Sequence, residues 1–411
     1  MSIELFLARR LYGTRKGGRR ISRPAVAIAQ WGVAVGTLVM FVSISIIVGF
    51  KQQIRDKIIG FGGHVQVMNY EASYDGDAPV NADSSMLAAF SSVKGVEYVQ
   101  PFAVKPGMVV ANNEYEGIAL KGVGSDYDLA FIKENLVDGN LPLWGNEKAS
   151  NAIVLSNSIA DKLNVSVGDK LNIYFMQQGI KARRMSVAAI YETHLTEFDN
   201  IMALTDLYTV RRLNGWGADE VTGVEITICD YDELENVAAD INGIIERYND
   251  AGERLHAPTI EELYPALFSW LSMLDQTVWL ILILVLFIAG FTTVSGLLIL
   301  ILEKSNFIGI MKAVGARDAS ITKVFLYYAA FVIGKGIVIG NLIAVVLCIL
   351  QQRFHIVALD PSMYYMNSVP IEFSCLLVPM NVGIFVLSVL MLLVPSMLIS
   401  RIEPTKTIKF E

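Results

Sequence analysis

Four long stretches of the chain are almost free of charged residues. Positions 24–50, 276–302 and 373–400 contain no Asp, Glu, Lys or Arg, and 324–352 contains Lys335 alone. Each stretch is longer than the ~20 residues that an α-helix needs to cross the hydrocarbon core of a bilayer. The sequence therefore predicts four transmembrane helices, and it excludes both a soluble globule and a single-pass membrane protein.

The distribution of charge predicts how these helices are oriented. Residues 1–23 hold seven basic residues and one acidic residue, whereas residues 51–271 hold 17 basic and 32 acidic residues. Because loops rich in Lys and Arg stay in the cytoplasm, we expect both termini and the loop 303–323 there, and residues 51–271 outside. The first apolar stretch, which begins at Pro24, is too long for the apolar core of a cleavable signal peptide.

Strand and helix patterns alternate in the acidic insertion. A helical pattern continues past Lys51 and stops at Gly60, so helix 1 is expected to protrude from the bilayer. Asp83 to Val93 has the pattern of a helix, and Ala103 to Lys121 has the pattern of two strands that turn at Asn112-Asn113. These alternating patterns predict an α+β domain.

Further signals lie later in the insertion. Leu171 to Met176 and Arg183 to Tyr191 predict a hairpin that turns tightly around Gln177-Gln178-Gly179. Thr259 and Glu262 form a capping box, and the helix that they start is expected to run toward span 2 with a break at Pro265.

The predicted fold class is an α-helical membrane protein with four transmembrane helices and a large α+β extracytoplasmic domain between helices 1 and 2. The predicted segments are a basic amphipathic cytoplasmic N-terminus (1–23), transmembrane helix 1 with a stalk extension (24–60), the α+β domain (61–258), stalk and transmembrane helix 2 (259–302), a cytoplasmic loop (303–323), transmembrane helix 3 (324–352), an outer loop (353–372), transmembrane helix 4 (373–400) and a cytoplasmic tail (401–411).

The chain lacks the sequence motifs of several kinds of nucleotide-binding, catalytic and metal-binding sites. The chain contains no G-x-x-x-x-G-K-[ST] nucleotide-binding loop, no H-E-x-x-H and no G-x-S-x-G. Its four histidines stand alone in the sequence, without the spacing of a metal site. We therefore expect a non-catalytic protein that binds no metal or cofactor of its own.

Lys335 is the one charged residue inside a predicted span. It lies about 18 Å along the helix from Lys323, at 1.5 Å per residue, and thus deep in the bilayer. Such a residue normally faces a protein interior or a watery cavity. Two interpretations remain open: contact with a polar cargo headgroup or partner helix, or a structural role, in which the ammonium group snorkels or pairs with a carbonyl oxygen.

The cytoplasmic loop contains a specific motif. Residues 302–317 read LEKSNFIGIMKAVGAR and resemble the E-[KR]-x-x-x-I-[AG]-I-[LM]-[KR]-[AT]-[LV]-G-A signature of FtsX-like ABC-transporter permeases. The resemblance implies a short helix that docks on a separate ATPase subunit, with Ile308, Met311 and Val314 offering an apolar face. The residues to which it assigns this coupling role are Glu303, Lys304, Ile308, Gly309, Ile310, Met311, Lys312, Ala313, Gly315 and Ala316.

The resemblance extends along the chain. Gly32 with Gly36, Ile59 to Val65, Ala119 to Val123, Ile190 to Asp199, Leu359 to Tyr365 and Arg401 to Thr405 are together similar to lipoprotein-releasing permeases of the LolC/LolE type, within the FtsX-like and MacB-like superfamily. The tight turn at Gln177-Gln178-Gly179 departs from the long protruding hairpin with which one member of the well-known heterodimer captures a lipoprotein carrier. A carrier would therefore need a partner chain or another contact.

This resemblance implies a bacterial inner-membrane permease that extracts lipoproteins from the outer leaflet for transfer to the outer membrane. It implies a second permease chain and a partner ATPase that holds ATP and Mg²⁺, with lipoprotein, a periplasmic carrier and membrane lipid, but no nucleic acid, as further partners. Expected residues of the lipid cavity are Ile47, Phe50, Trp279, Ile283 and Phe287. The alternatives are a MacB-like efflux permease for peptides or macrolides, and an FtsX-like signalling permease that activates a cell-wall hydrolase.

Overall fold

The computed structural model describes residues 3–13, 22–71, 78–145, 148–176, 179–250 and 252–393. The chain divides into two compact units. The helical unit comprises residues 1–51, 270–358 and 368–411, and the α+β unit comprises residues 52–269 and 359–367. The outer loop is thus divided, because its tip (359–367) is grouped with the α+β unit.

Among the described residues, three helices are long and apolar enough to cross a membrane, at Val26–Gly62, Pro265–Gly296 and Asp318–Phe354. They lie within what we call the first long helix (Ser22–Gly62), the second long helix (Pro265–Glu303) and the third long helix (Asp318–Phe354). A shorter apolar helix spans Leu377–Met391. The predicted fourth span, 373–400, extends beyond the described residues, so four spans remain a prediction.

The other helices in the described part of the chain are all shorter than the three long helices. They span Ile3–Gly13, Ser84–Ser91, Ala130–Glu134, Asn157–Leu163, Thr196–Asp199, Leu207–Asn214, Leu234–Asp250, Ile260–Leu263, Ser305–Ala313 and Pro361–Tyr364, with a 3₁₀ turn at Tyr231–Glu233.

The first long helix packs closely on the third through two glycines. A Cβ atom on Gly340 would lie 2.4 Å from the carbonyl oxygen of Ala34, and one on Gly336 would lie 2.8 Å from that of Gln30. Small residues let membrane helices approach until their backbones touch. Gly32 faces the second long helix instead, where its Cβ would meet Thr292 Cγ2 at 2.6 Å.

The N-terminal helix Ile3–Gly13 also packs within the helical unit. Ala8 is fully buried, and Leu7 and Leu11 pack with it against residues of the third long helix. Ile3 and Phe6 remain exposed, as expected for an amphipathic helix at a membrane surface.

A ten-stranded mixed sheet forms the framework of the α+β unit. Along the sheet the order is β12-β1-β11-β3-β4-β9-β6-β8-β5, with β7 paired to β3 and β8, while β2 and β10 form a separate pair. Most pairs are antiparallel, but β4 with β9 and β6 with β8 are parallel. The strands are β1 (Val65–Asn69), β2 (Val80–Asn81), β3 (Val96–Ala111), β4 (Glu114–Val123), β5 (Leu136–Gly139), β6 (Ala152–Ser156), β7 (Lys170–Met176), β8 (Ile180–Tyr191), β9 (Met202–Asp206), β10 (Glu220–Val221), β11 (Gly223–Ile228) and β12 (Leu255–His256).

Local sequence signals explain several boundaries in this unit. Asn112 and Asn113 have φ of 49° and 68°, as a type I′ turn between β3 and β4 requires. Asp83 accepts a hydrogen bond from the backbone N–H of Met86 and caps the predicted helix there. These two predictions are confirmed.

The approach to the second long helix also agrees with its sequence signals. The capping box of Thr259 and Glu262 is formed, and a new helix begins at Pro265, where a break was predicted. Pro fits this first helical position because its missing N–H has no helical partner there. In the β7–β8 hairpin Met176 pairs with Ile180, while Gln177 and Gln178 lie outside the described residues.

A buried ion pair holds the C-terminal end of the first long helix. Lys121 Nζ lies 2.7 Å from Glu225 Oε1 and donates to the carbonyl oxygen of Phe61 at 2.5 Å, while Tyr127 donates to Glu225. The two charged side chains are 3% and 2% exposed. Burial lowers the pKa of Lys121 and Glu225 opposes this change, whereas burial and Glu225 both raise the pKa of Tyr127. The helix C-terminus, where carbonyl oxygens lack partners, thus receives a cation.

Candidate functional site

The loop after the second long helix contains the helix Ser305–Ala313, which we call the coupling helix. It ends in a Schellman motif. The N–H of Ala316 donates to the carbonyl oxygen of Met311 at 2.9 Å, and the N–H of Gly315 donates to that of Lys312 at 3.0 Å. Gly315 has φ of 93°, a left-handed conformation that glycine adopts without strain. The motif fixes the direction in which the chain leaves the helix.

A salt bridge joins the coupling helix to the third long helix. Lys312 Nζ lies 2.9 Å from Asp318 Oδ1, and the lysine side chain is only 11% exposed. Asp318 lies in the first turn of the third long helix, where a carboxylate is favoured by the helix dipole. Lys312 therefore orients the coupling helix, and its charge is already paired within the chain.

The structure corrects the apolar face expected for partner docking. Ile308 is fully buried in a cluster with Ile321 and Phe325, and Met311 packs against the same cluster. These side chains are covered because the coupling helix lies against its own chain. Helical periodicity identified the apolar face but could not say what covers it.

Val314, the third residue of the expected apolar face, is exposed together with other apolar residues. Ile310 is 55% and Val314 is 83% exposed, and Ala313 is exposed beside them. Gly309 is buried, while Lys304 and Ala316 are half-buried. The side chain of Glu303 lies outside the described residues, although the second long helix ends there. Ile310, Ala313 and Val314 thus form an exposed apolar surface on this segment.

The five residues expected to line a lipid cavity divide into two groups. Phe50 is 8% exposed and stacks edge-to-face on Trp270 at 5.6 Å between ring centroids, and Ile47 is half-buried. Trp279, Ile283 and Phe287 are 62%, 52% and 52% exposed. Their four-residue spacing places them on one face of the second long helix, which we call the open face.

An apolar groove lies between the first and second long helices. Its volume is about 800 Å³, and its walls are almost entirely apolar. The sequence did not indicate this groove, because hydrophobic pattern alone does not tell which residues of a span face a neighbouring helix. The lining residues are Pro24, Ala27, Ile28, Trp31, Gly32, Val35, Gly36, Val39, Val285, Ile288 and Thr292.

Lys335 lies on the exposed side of the third long helix. Phe331, Val338 and Leu342 share this side and are 38%, 64% and 64% exposed. The adjacent Gly336 faces the first long helix instead. Lys335 is therefore exposed and does not lie on the helix face that makes the glycine contact.

Metal chemistry has no candidate site in the ranges that the structure describes. Within them, no group of three or more His, Cys, Asp or Glu side chains is arranged to hold a metal ion.

Two family models match the chain. The model of the MacB-like periplasmic core domain matches residues 27–244, and the model of the FtsX-like permease C-terminal region matches residues 279–404. The first covers the α+β unit up to Ile244, and the second includes the coupling helix and the third long helix.

Relatives match over nearly the full length. The chain is 22% identical to a lipoprotein-releasing system transmembrane protein LolC of Xylella fastidiosa over 92% of both chains. It is 22% identical to a lipoprotein-releasing system transmembrane protein LolE of Haemophilus influenzae, again over 92% of both chains. A pyoverdine export ATP-binding/permease protein, PvdT of Pseudomonas savastanoi, is 19% identical over 87% of this chain but only 54% of its own length.

Proposed function

Since the chain belongs to the permeases that join a MacB-like periplasmic core domain to an FtsX-like C-terminal region, we propose that it is the membrane subunit of an ATP-driven transporter that releases lipoproteins. The observation that supports this most is the match to LolC-named and LolE-named proteins over 92% of both chains. Lipoproteins would leave the outer leaflet of the bacterial inner membrane on their way to the outer membrane.

A separate subunit would hydrolyse ATP. The match to the ATP-binding/permease relative covers only 54% of that protein, and this chain contains no phosphate-binding loop motif. In the proposal, ATP and Mg²⁺ bind to the partner ATPase, and this chain supplies no catalytic residue.

The coupling helix would be the contact with that ATPase. Ile310, Ala313 and Val314 form its exposed apolar face, which suits a helix-in-groove contact. Lys312 and the buried Ile308 hold the helix against the third long helix. A push on the exposed face would therefore move the membrane helix with it.

The open face of the second long helix would receive lipid. Only 12% of its most apolar stretch is buried within the chain, compared with 50% in the first long helix and 39% in the third. A second permease chain facing this surface would enclose a cavity for acyl chains. Withdrawing an acyl chain from lipid costs about 0.8 kcal/mol per CH₂, so three chains require on the order of tens of kcal/mol, and an ATP-driven cycle with a lipid acceptor is needed.

The proposed topology follows the charge distribution. Both termini and the coupling helix would lie in the cytoplasm, and residues 51–271 would lie in the periplasm. The family arrangement adds a second permease, identical or different, and two ATPase subunits. A periplasmic carrier would receive the lipoprotein.

Reconstitution tests the proposal. The full chain is placed in proteoliposomes with its ATPase, a fluorescent triacylated lipoprotein and a lipoprotein-binding carrier. We expect ATP to transfer lipoprotein to the soluble fraction, and a non-hydrolysable ATP analogue not to do so. No ATP-dependent transfer with carrier present would contradict the proposal.

A double variant and a matched control show whether the open face takes part in release. Trp279→Ala with Phe287→Ala should reduce release about tenfold or more while ATP hydrolysis continues, because the open face loses its contact with acyl chains. Tyr115→Ala, at an exposed aromatic residue of the α+β unit, is the matched control and should release normally.

Export of a peptide or macrolide is the second candidate function, favoured by the similarity to the pyoverdine export protein. The same proteoliposomes distinguish the two. An exporter would show ATP hydrolysis stimulated by a soluble amphipathic compound and would move that compound, without releasing lipoprotein. A signalling permease would hydrolyse ATP and do neither.

A further inference from the structure

Three segments distant in the sequence meet at Lys57. Lys57 lies in the outer part of the first long helix, and its Nζ donates to the carbonyl oxygens of Thr193 and Tyr365 at 2.6 and 2.5 Å. Thr193 follows β8, and Tyr365 belongs to the tip of the outer loop, 359–367. All three segments are grouped in the α+β unit.

The backbone conformation of the tip places the carbonyl oxygen of Tyr365 within hydrogen-bond distance of Lys57. The helix Pro361–Tyr364 leads directly into Tyr365, whose φ of 60° is a left-handed conformation that a non-glycine residue seldom adopts. Leu359 N–H donates to the carbonyl oxygen of Asn367 at 2.9 Å and closes the base of the tip. Such strained backbone persists only where surrounding contacts hold it, and it often marks a functional segment.

The loop that faces the tip, residues 193–199, is also held by hydrogen bonds and has a strained residue. Thr193 donates its backbone N–H and its hydroxyl to the carboxylate of Asp199, at 3.1 and 2.7 Å. His194 also has a left-handed φ, of 62°, and its Nε2 lies 3.0 Å from Asn367 Nδ2 in the tip. The tip therefore contacts this loop at two points, one of which passes through Lys57.

The first long helix makes a second contact with the loop 193–199, one turn after Lys57. Phe61, four residues after Lys57 and hence on the same helix face, stacks on Phe198 with ring centroids 4.6 Å apart and planes 7° apart. Phe198 in turn contacts Tyr264, directly before the second long helix. The first helix is thus fixed to this loop, and Lys57 adds the tip to the same assembly.

We infer that Lys57 is a positioning residue that latches the tip of the outer loop to the α+β unit. The tip is continuous in sequence with the third long helix and with the helix Leu377–Met391, so the latch makes movement of these helices act on the α+β unit together with the first long helix. The inference rests on the proposed function for its role in release, but the latch itself is a structural claim.

The latch is tested first by hydrogen–deuterium exchange on the full chain in detergent. Lys57→Met removes the donors and keeps the apolar stem, and charge-assisted hydrogen bonds of this kind contribute enough that amides of residues 359–365 should exchange about tenfold faster or more. Lys94→Met is the matched control, because Lys94 is an exposed lysine of the same unit. It should leave exchange in the tip unchanged.

Release by the ATPase complex is the second readout. Lys57→Met should hydrolyse ATP at a normal rate but release lipoprotein about tenfold more slowly, and Lys57→Arg should restore part of the loss because it can still donate. If Lys57→Met does not fold, Asn367→Ala removes the other tip contact at an exposed position and should show the same uncoupling in milder form.

The outcomes separate the two claims. Faster exchange in the tip with unchanged release would overturn the coupling role, and unchanged exchange would overturn the latch. If the wild-type complex releases no lipoprotein, the proposed function fails while the exchange result still decides whether the latch exists.

Discussion

The first long helix is held in two different ways along its length. Within the helical unit its middle meets Gly336 and Gly340 of the third long helix at backbone contact distance. Within the α+β unit the carbonyl oxygen of Phe61, in its last turn, accepts a hydrogen bond from Lys121, which is buried and paired with Glu225. One contact depends on shape alone and the other on charge.

The difference follows from what surrounds each contact. Lipid is as apolar as the side chains of a membrane span, so the hydrophobic effect contributes little to the association of membrane helices. Close packing must therefore provide the attraction between them. In a unit that unfolds into water, a buried ion pair gains little over an apolar pair of the same shape. The ion pair instead specifies the position of the helix end, because Lys121 can bind the Phe61 carbonyl only when the helix ends at the right place.

The largest effect is expected from breaking the charged contact. Lys121→Met leaves Glu225 buried without its cation, which should lower the free energy of unfolding of the α+β unit by about 3–5 kcal/mol. Hydrogen exchange of β4 and β11 amides in the full chain measures it. The double variant Lys121→Met with Glu225→Leu should recover most of the loss, and a double variant as unstable as the single one would contradict the assignment.

A smaller loss is expected at the glycine contact. Gly340→Leu forces the first and third long helices apart, and overpacking of this kind costs about 1–3 kcal/mol. Thermal denaturation of the full chain in detergent measures the loss. Gly383→Leu is the matched control, because a Cβ there has no neighbour within 4 Å. Equal destabilisation of the two variants would show that the close approach is not what holds the helices.

The smallest expected effect is a pH dependence of stability that is confined to the α+β unit, where the charged contact lies. His64 is buried, its Nδ1 accepts the N–H of Ile228 at 3.2 Å, and burial together with Arg55 lowers its pKa to about 4. Because the unfolded chain binds the proton near pH 6.5, stability is present above that pH and is lost as the pH falls toward 4. Between about pH 7.5 and 5.5 the α+β unit should lose about 1 kcal/mol.

Hydrogen exchange at the two pH values, corrected for the intrinsic rate, measures this loss. His64→Gln should remove the pH dependence of exchange in β1 and β11. The contact at Gly336 and Gly340 is formed by backbone and apolar atoms, so it should respond neither to pH nor to this substitution. A pH response that persists in His64→Gln would assign it to another group.

Local signals made part of this fold predictable. The turn at Asn112-Asn113, the caps at Asp83 and Thr259 and the break at Pro265 each depend on residues a few positions apart. The Lys121–Glu225 pair joins residues 104 positions apart, and neither residue type announces burial. The same limit applies to the coupling helix, where periodicity identified the apolar residues but only packing shows that Ile308 is covered and Ile310 is exposed.

Site-specific photo-cross-linking from position 310 in cells tests the central claim most directly. The account predicts that a photoreactive residue replacing Ile310 forms an adduct with a cytoplasmic ATPase, and that the same residue at position 308 does not. An adduct with a periplasmic protein, or none with any ATPase while position 308 gives one, would contradict the account.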